Sequence, residues 1–195
     1  MKLLIIGLPR SGTTSVMRAI SESLNLPHYE EPFYHKSNLE KHINFFNFKG
    51  DVDLIMKVTT LQTPDDCVGE ESIRKYWSFL ASKFERVILM DRIDFDDHLI
   101  SYANLKNCLK HHGHRFKNYD PETVSITEDV ISELTDHKKM MNIISDELKL
   151  GVLYYEDIFN PLNDPFKVLG VPYTIRASKY FSPSVRIRGL RNNII

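Results

Sequence analysis

The segment Gly7-Leu8-Pro9-Arg10-Ser11-Gly12-Thr13-Thr14 concentrates the clearest chemistry in this chain. Small residues let a backbone curl until successive N–H groups point at one anion. A helix following the loop would add its positive end. Arg10, Ser11, Thr13 and Thr14 would add side-chain donors. The two glycines have the spacing of a phosphate-binding loop, Gly-x4-Gly-Lys-Ser/Thr, but Thr13 stands where the lysine belongs. That lysine normally reaches the β- and γ-phosphates of a nucleoside triphosphate, so its absence argues against ordinary ATP or GTP hydrolysis. The loop's basic residue has moved to Arg10. The competing reading is a tight strand–helix turn in which Gly-Thr-Thr only caps a helix.

Pro9-Arg10-Ser11-Gly12-Thr13-Thr14 resembles the 5′-phosphosulfate loop of the sulfotransferases. That family moves a sulfuryl group from 3′-phosphoadenosine-5′-phosphosulfate (PAPS) to a hydroxyl or amine and releases PAP. A second site supports the resemblance. Asp91-Arg92 ends the apolar run Val87 to Met90, and Ser101 follows nine residues after Arg92. The family binds the 3′-phosphate with an Arg at a strand end and a Ser in the next helix, most often eight apart. Nine resembles the trehalose-type and small microbial or phage variant. An Arg offers a fork of donors suited to phosphate. The competing reading is an Arg92 salt-bridged to Asp94 or Asp97, with Ser101 merely exposed. Tyr154-Tyr155-Glu156-Asp157-Ile158 is similar to the family's Tyr-Glu-Asp-Leu segment, with Asp157 as a candidate helix cap. Arg188-Gly189 is similar, more distantly, to a loop that some members fold over the 3′-phosphate.

The resemblance implies in-line displacement, with charge building on the leaving phosphate oxygen. Arg10 and the loop N–H groups would stabilise that charge. Lys57, after Leu54-Ile55-Met56, is the candidate second cation; an exposed strand-end charge is the equal alternative. The acceptor needs a general base. Glu31-Pro32-Phe33 resembles a Glu-Pro-Phe variant of the family's base segment, which favours Glu31 over Glu30. His28, His35 and His98 are histidine alternatives. No metal is required by this chemistry. Lys110-His111-His112-Gly113-His114-Arg115 lacks the spacing of a helical His pair or zinc finger and reads as a basic surface loop.

These residues need a scaffold. Apolar runs alternate with helical patterns, which predicts one α/β domain over residues 1–195, with a mainly parallel central sheet flanked by helices. Leu3–Ile6, Asp53–Val58, Arg86–Met90 and Val152–Tyr155 read as strands. Pro27–Tyr34 reads as a short extended or loop segment between two prolines. Ser15–Leu24 reads as a helix, as does the stripe Ile73, Trp77, Leu80 and Phe84. Phe95, Leu99, Tyr102, Lys106 and Leu109 mark another, followed by a loop over 110–126. A long helix runs from about 128 to 148, ended by Gly151, and a short one covers Phe166 to Leu169.

The chain has 195 residues, with 42% hydrophobic and 26% charged, which are ordinary globular values. The formal net charge of −1 is a poor match to a nucleic-acid binder. Charge is uneven: after Asp164 the chain carries six cations and no acid, while residues 1–164 hold 19 basic against 26 acidic side chains. The two cysteines, Cys67 and Cys108, form no disulfide framework, so a reducing, cytoplasmic setting is expected. No apolar stretch is long enough to span a bilayer. The leading reading is a PAPS-dependent sulfotransferase acting on a small-molecule or glycan acceptor, with no nucleic acid or membrane partner. The alternatives are a P-loop kinase or NTPase using Leu89-Met90-Asp91 as a Mg²⁺-binding strand end, and a non-catalytic PAP-binding protein.

Overall fold

The computed structural model describes residues 1–33, 38–49, 52–112 and 125–181. In chain order its elements are β1 (Lys2–Gly7), α1 (Thr13–Leu24), β2 (His28–Glu30), α2 (Leu39–Lys49) and β3 (Leu54–Thr59). A 3-10 turn, Thr60–Gln62, leads to α3 (Glu70–Ala81), β4 (Arg86–Asp91) and α4 (Phe95–His112). Then come α5 (Glu128–Leu148), β5 (Val152–Tyr154), α6 (Tyr155–Ile158), α7 (Pro165–Leu169) and α8 (Ile175–Ser178).

The strands form one five-stranded sheet in the order β2-β3-β1-β4-β5. Every pairing is parallel. Parallel neighbours need crossover connections, and those crossovers cover both faces of the sheet. The residues of β1 show it. Leu4 and Ile6 pack with Met56, Val58, Trp77, Leu80, Met141 and Ile144, which brings α3 and α5 onto one face. Leu3 and Ile5 point the other way, onto Val16, Met17 and Ile20 of α1. This is why β1 reads as an unbroken apolar run rather than an alternating one.

From β1 the chain builds outward to β2 and returns through β3, then crosses to β4 and β5 on the other side. The reversal falls at the carboxyl end of β1, the position where open parallel sheets bind ligands. The loop Gly7–Thr14 leaves the sheet there.

Several sequence expectations move. Pro27–Tyr34 contains a true edge strand, β2, paired to β3 from His28↔Ile55 to Glu30↔Lys57. Helix α5 keeps the expected span of 128–148, but its stop is Lys149 and not Gly151: Lys149 takes the left-handed conformation (φ 55) and its N–H donates to Ser145 O. Phe84 lies beyond α3, its N–H closing a turn on Ala81 O. Tyr155 begins α6 instead of ending β5, and that helix is capped at Tyr154 with no side-chain bond, so Asp157 is not its cap. The helix α4 extends to His112, three residues into the expected loop. Helices α2 and α8 have no counterpart among the sequence expectations. Among the described residues, no helix is long and apolar enough to cross a membrane.

Candidate functional site

The anion loop is built from backbone bonds to its neighbours. Leu8 N donates to Met90 O at 3.2 Å, tying the loop to β4. Ser11 N and Ser11 Oγ both donate to Leu8 O, at 3.2 and 2.7 Å. Ser11 is fully buried, so its hydroxyl and N–H shape the loop and do not face a ligand as the sequence suggested. Gly12 caps α1 in the left-handed conformation (φ 82), without a side-chain cap. Both glycines are sterically required. A Cβ at Gly7 would overlap Thr13 Cγ2, and one at Gly12 would lie 2.8 Å from ring atoms of both Tyr155 and Phe159. Thr13, at the position of the missing lysine, is buried beside Gly7. Arg10 also has a left-handed backbone (φ 69), a strained choice for a residue with a Cβ.

Arg10 is held by α4: its Nε donates to Ser101 Oγ at 3.1 Å. The same helix buries His98 completely, with Nε2 2.7 Å from the Pro9 carbonyl. His98 is therefore no candidate base, because its ring lies inside the protein. Burial pushes its pKa down to about 4, outweighing the opposite effects of the Pro9 carbonyl and Asp91. Of the other histidines, His28 is exposed on β2 and bonded to Ser21 Oγ at 2.9 Å.

Lys57 occupies the other side. Side chains alternate along β3, so Lys57 shares the α1 face with Ile55 and reaches the start of that helix. It is buried, not an exposed strand-end charge. Its Nζ lies 2.8 Å from Thr14 Oγ1, 2.5 Å from Glu31 Oε1 and 3.4 Å from Glu30 Oε1. Glu30 accepts further bonds from Thr14 Oγ1 (2.7 Å) and Arg18 NH2 (3.0 Å). Partial burial pushes the Glu30 carboxyl up, but the Thr14 bond and the charges of Lys57 and Arg18 carry it below the usual carboxylate value. Glu31 keeps a left-handed backbone (φ 48), and its N–H donates to Lys57 O at 2.9 Å.

Arg92 follows β4 and is buried, its guanidinium stacked on the Tyr155 ring at 4.4 Å. It forms ion pairs with Asp97 and Glu156, each at 3.6 Å and beyond hydrogen-bond distance, so the salt bridge to Asp97 of the competing reading is present. Its buried Nε has no hydrogen-bond partner. Glu156 itself accepts from Ile93 N at 2.9 Å, so the Tyr-Glu-Asp segment frames Arg92. Tyr155 stacks in turn on Phe159, with ring centroids 4.4 Å apart.

The structure thus brings Arg10 together with Ser101, and Lys57 with Thr14, Glu30 and Glu31. Arg188, His35 and His114 lie outside the described residues, as do the side chains of His111 and His112. Among the described residues, no group of three or more His, Cys, Asp or Glu is arranged to hold a metal. Sequence reasoning missed Arg18, Tyr155 as the platform under Arg92, and Lys138. Arg18 was findable, since it lies one helical turn from Thr14 on α1. Lys138 comes from α5 with no local signal, and its Nζ bonds Asp91 at 3.0 and 3.2 Å and Arg92 O at 2.8 Å.

No protein-family model matches the chain, and no curated protein matches it. Among solved structures, a shikimate kinase from Aquifex aeolicus is similar at 18% identity, covering 87% of this chain and 92% of that one, with a TM-score of 0.42. A de novo designed P-loop fold protein is similar at 11% identity, covering 76% and 94%, with a TM-score of 0.30.

Proposed function

We propose that this chain transfers a sulfuryl group from PAPS to a hydroxyl or amine of a small-molecule or glycan acceptor. The observation that carries this reading is the Lys57 ammonium on the Thr14 hydroxyl, at 2.8 Å. In a nucleoside-triphosphate loop that hydroxyl is a Mg²⁺ ligand. The strand-end carboxylate that a kinase would use, Asp91, is likewise held by the Lys138 ammonium. Both Mg²⁺ positions are thus matched by cations of the chain itself. Sulfuryl transfer suits such a site, because a sulfuryl group carries less charge than a phosphoryl group and side-chain cations suffice.

The residues fit an anionic donor. Gly7 and Gly12 let the loop pack tightly on Thr13, Tyr155 and Phe159, and the start of α1 supplies positive potential. PAPS, when bound, supplies an activated sulfuryl group on a phosphate leaving group. Arg10 and Lys57 provide the positive charge beside that phosphate. Gly12, Thr13 and Thr14 hold its 5′ side, while Ser11, with its N–H and hydroxyl both on Leu8 O, shapes the loop. Arg92, whose buried Nε makes no hydrogen bond, and Ser101 serve the 3′-phosphate. Arg188 joins them only through the resemblance.

Glu31 is the base that takes the acceptor proton. Glu30 is engaged by Thr14, Arg18 and Lys57 and is the weaker base for that reason. Glu31 pairs with Lys57, and its side chain is 41% exposed, open to an incoming acceptor.

The test is incubation with PAPS and a panel of sugars, alcohols, amines and tyrosine peptides in the presence of a chelator. Acceptor-dependent release of PAP supports the reading. Phosphoryl transfer from Mg-ATP in its place would contradict it. Tight PAP binding with no transfer to any acceptor would favour the binding-protein alternative.

A further inference from the structure

Two residues of α4, three positions apart and so on one face of the helix, grip two consecutive residues of the anion loop. Ser101 takes the Arg10 guanidinium and His98 takes the Pro9 carbonyl. A carbonyl only accepts, so His98 Nε2 carries the proton. The His98 Nδ1 atom is then a buried acceptor with no hydrogen-bond partner, facing Asp91 Oδ1 at 3.6 Å. Lys138 from α5 neutralises Asp91 and also binds Arg92 O. Nothing in the proposed chemistry uses His98, yet it is wholly enclosed among the strand ends and the loop.

We propose that His98 is a positioning residue that fixes the Pro9–Arg10 peptide, and with it the direction of a loop N–H toward the bound anion. The described peptides are trans, so a C=O and the following N–H point in opposite directions. Drawing the Pro9 carbonyl down onto α4 turns the Arg10 N–H away from α4. The same anchor holds Arg10 in its left-handed conformation, which an untethered Arg would leave. His98 and Ser101 thereby set both the backbone and the side chain of Arg10 from one rigid helix. The inference rests on the proposed function only in treating Gly7–Thr14 as an anion site.

The test has a ligand-free arm and a binding arm. In protein with ¹⁵N-labelled histidine, the His98 ring should show the Nε2–H tautomer, with a slowly exchanging ring proton, from pH 6 to 8. An Nδ1–H tautomer or a rapidly exchanging proton overturns the clamp, whatever the chain binds. In the binding arm, PAP affinity is measured by calorimetry for the unaltered protein, His98→Leu and His98→Gln. Glutamine carries an amide donor close to the position of the ring Nε2; leucine carries none. Loss of a buried bond that leaves an orphaned carbonyl predicts about tenfold weaker PAP binding for His98→Leu, with most of it regained in His98→Gln. Equal affinity in all three proteins, or a Gln variant as weak as the Leu variant, overturns the positioning role. If the unaltered protein binds no PAP, the sulfotransferase reading fails, and the ring spectrum alone decides the clamp.

Discussion

Arg10 Nε donates to Ser101 Oγ across 3.1 Å, although 91 residues separate them in the chain. The bond joins the loop after β1 to the helix after β4, the two elements that the proposed function assigns to the 5′- and 3′-phosphates of PAP. Arg10 belongs to the loop after β1, and Ser101 to the helix after β4. The neighbouring strands β1 and β4 pair in register from Leu3↔Arg86 to Gly7↔Met90, so their carboxyl ends emerge side by side. Under the proposed function, PAP takes Arg10 with its 5′-phosphate and Arg92 with its 3′-phosphate.

Replacing Arg92 by Ala should weaken PAP roughly ten- to a hundredfold, as expected for loss of a charge-assisted bond. Adenosine 5′-phosphosulfate lacks the 3′-phosphate and should lose little. Calorimetry with both ligands checks this; equal losses would refute the assignment of Arg92.

The two glutamates on Lys57 should separate by function. Glu31→Gln should lower kcat by about 10²–10⁴, the range for a general base, while PAP affinity stays unchanged. Glu30→Gln should have the smaller effect on kcat, since Glu30 mainly braces Thr14 and Arg18. Lys57→Met should lower kcat by about 10²–10³, the cost of one group lost from the stabilisation of developing charge. Acceptor-saturated rates of the three variants provide the comparison. A Glu30 variant slower than the Glu31 variant would reverse the base assignment.

Gly12→Ala should destabilise the fold as well as the site. The new methyl would meet the Tyr155 and Phe159 rings and sit at φ 82. Overpacking of that kind costs about 1–3 kcal/mol. At about 2–4 °C per kcal/mol, the melting midpoint should fall visibly without ligand. An unchanged midpoint would mean that the aromatic pair does not close over the loop.

Stability should fall with acid over a defined window. His42, bonded to Tyr76 Oη at 2.8 Å, is pushed down to about 4 by burial, and His98 is pushed down to about 4 for the same reason. In the unfolded chain both titrate near 6.5. Between those values the unfolded state binds more protons, so the stabilisation is complete above about 6.5 and is lost as pH falls toward 4. Urea unfolding at a series of pH values should show this slope, and His42→Gln should reduce it. A flat profile between pH 6.5 and 5 would contradict the burial of both rings.

Range along the chain separates the features a sequence announces from those it hides. The β1 run and the Gly7–Thr14 spacing are local signals, and both describe the observed strand, loop and helix. The alternation that turns Lys57 toward α1 could be read from β3 once its partner face was known. Helix α2 carries a mixed pattern, with His42 buried at a position that reads as polar. The edge strand β2 is only three residues long, and its pairing with β3 decides its state. Lys138 reaches Asp91 across 47 residues, and no local pattern announces such a contact. Gly151 looked like a helix stop, but Lys149 had already taken the left-handed turn.

Thermal unfolding with PAP and no metal, with ATP plus Mg²⁺, and with no ligand separates a PAPS site from a kinase site in one experiment. A ligand at about 100 times its dissociation constant stabilises by roughly 2.7 kcal/mol. For a chain of this size that is a shift of about 5–11 °C. With Lys57 on Thr14 and Lys138 on Asp91, PAP should raise the midpoint without Mg²⁺, and Mg-ATP should not. Stabilisation by Mg-ATP alone would contradict the sulfotransferase reading.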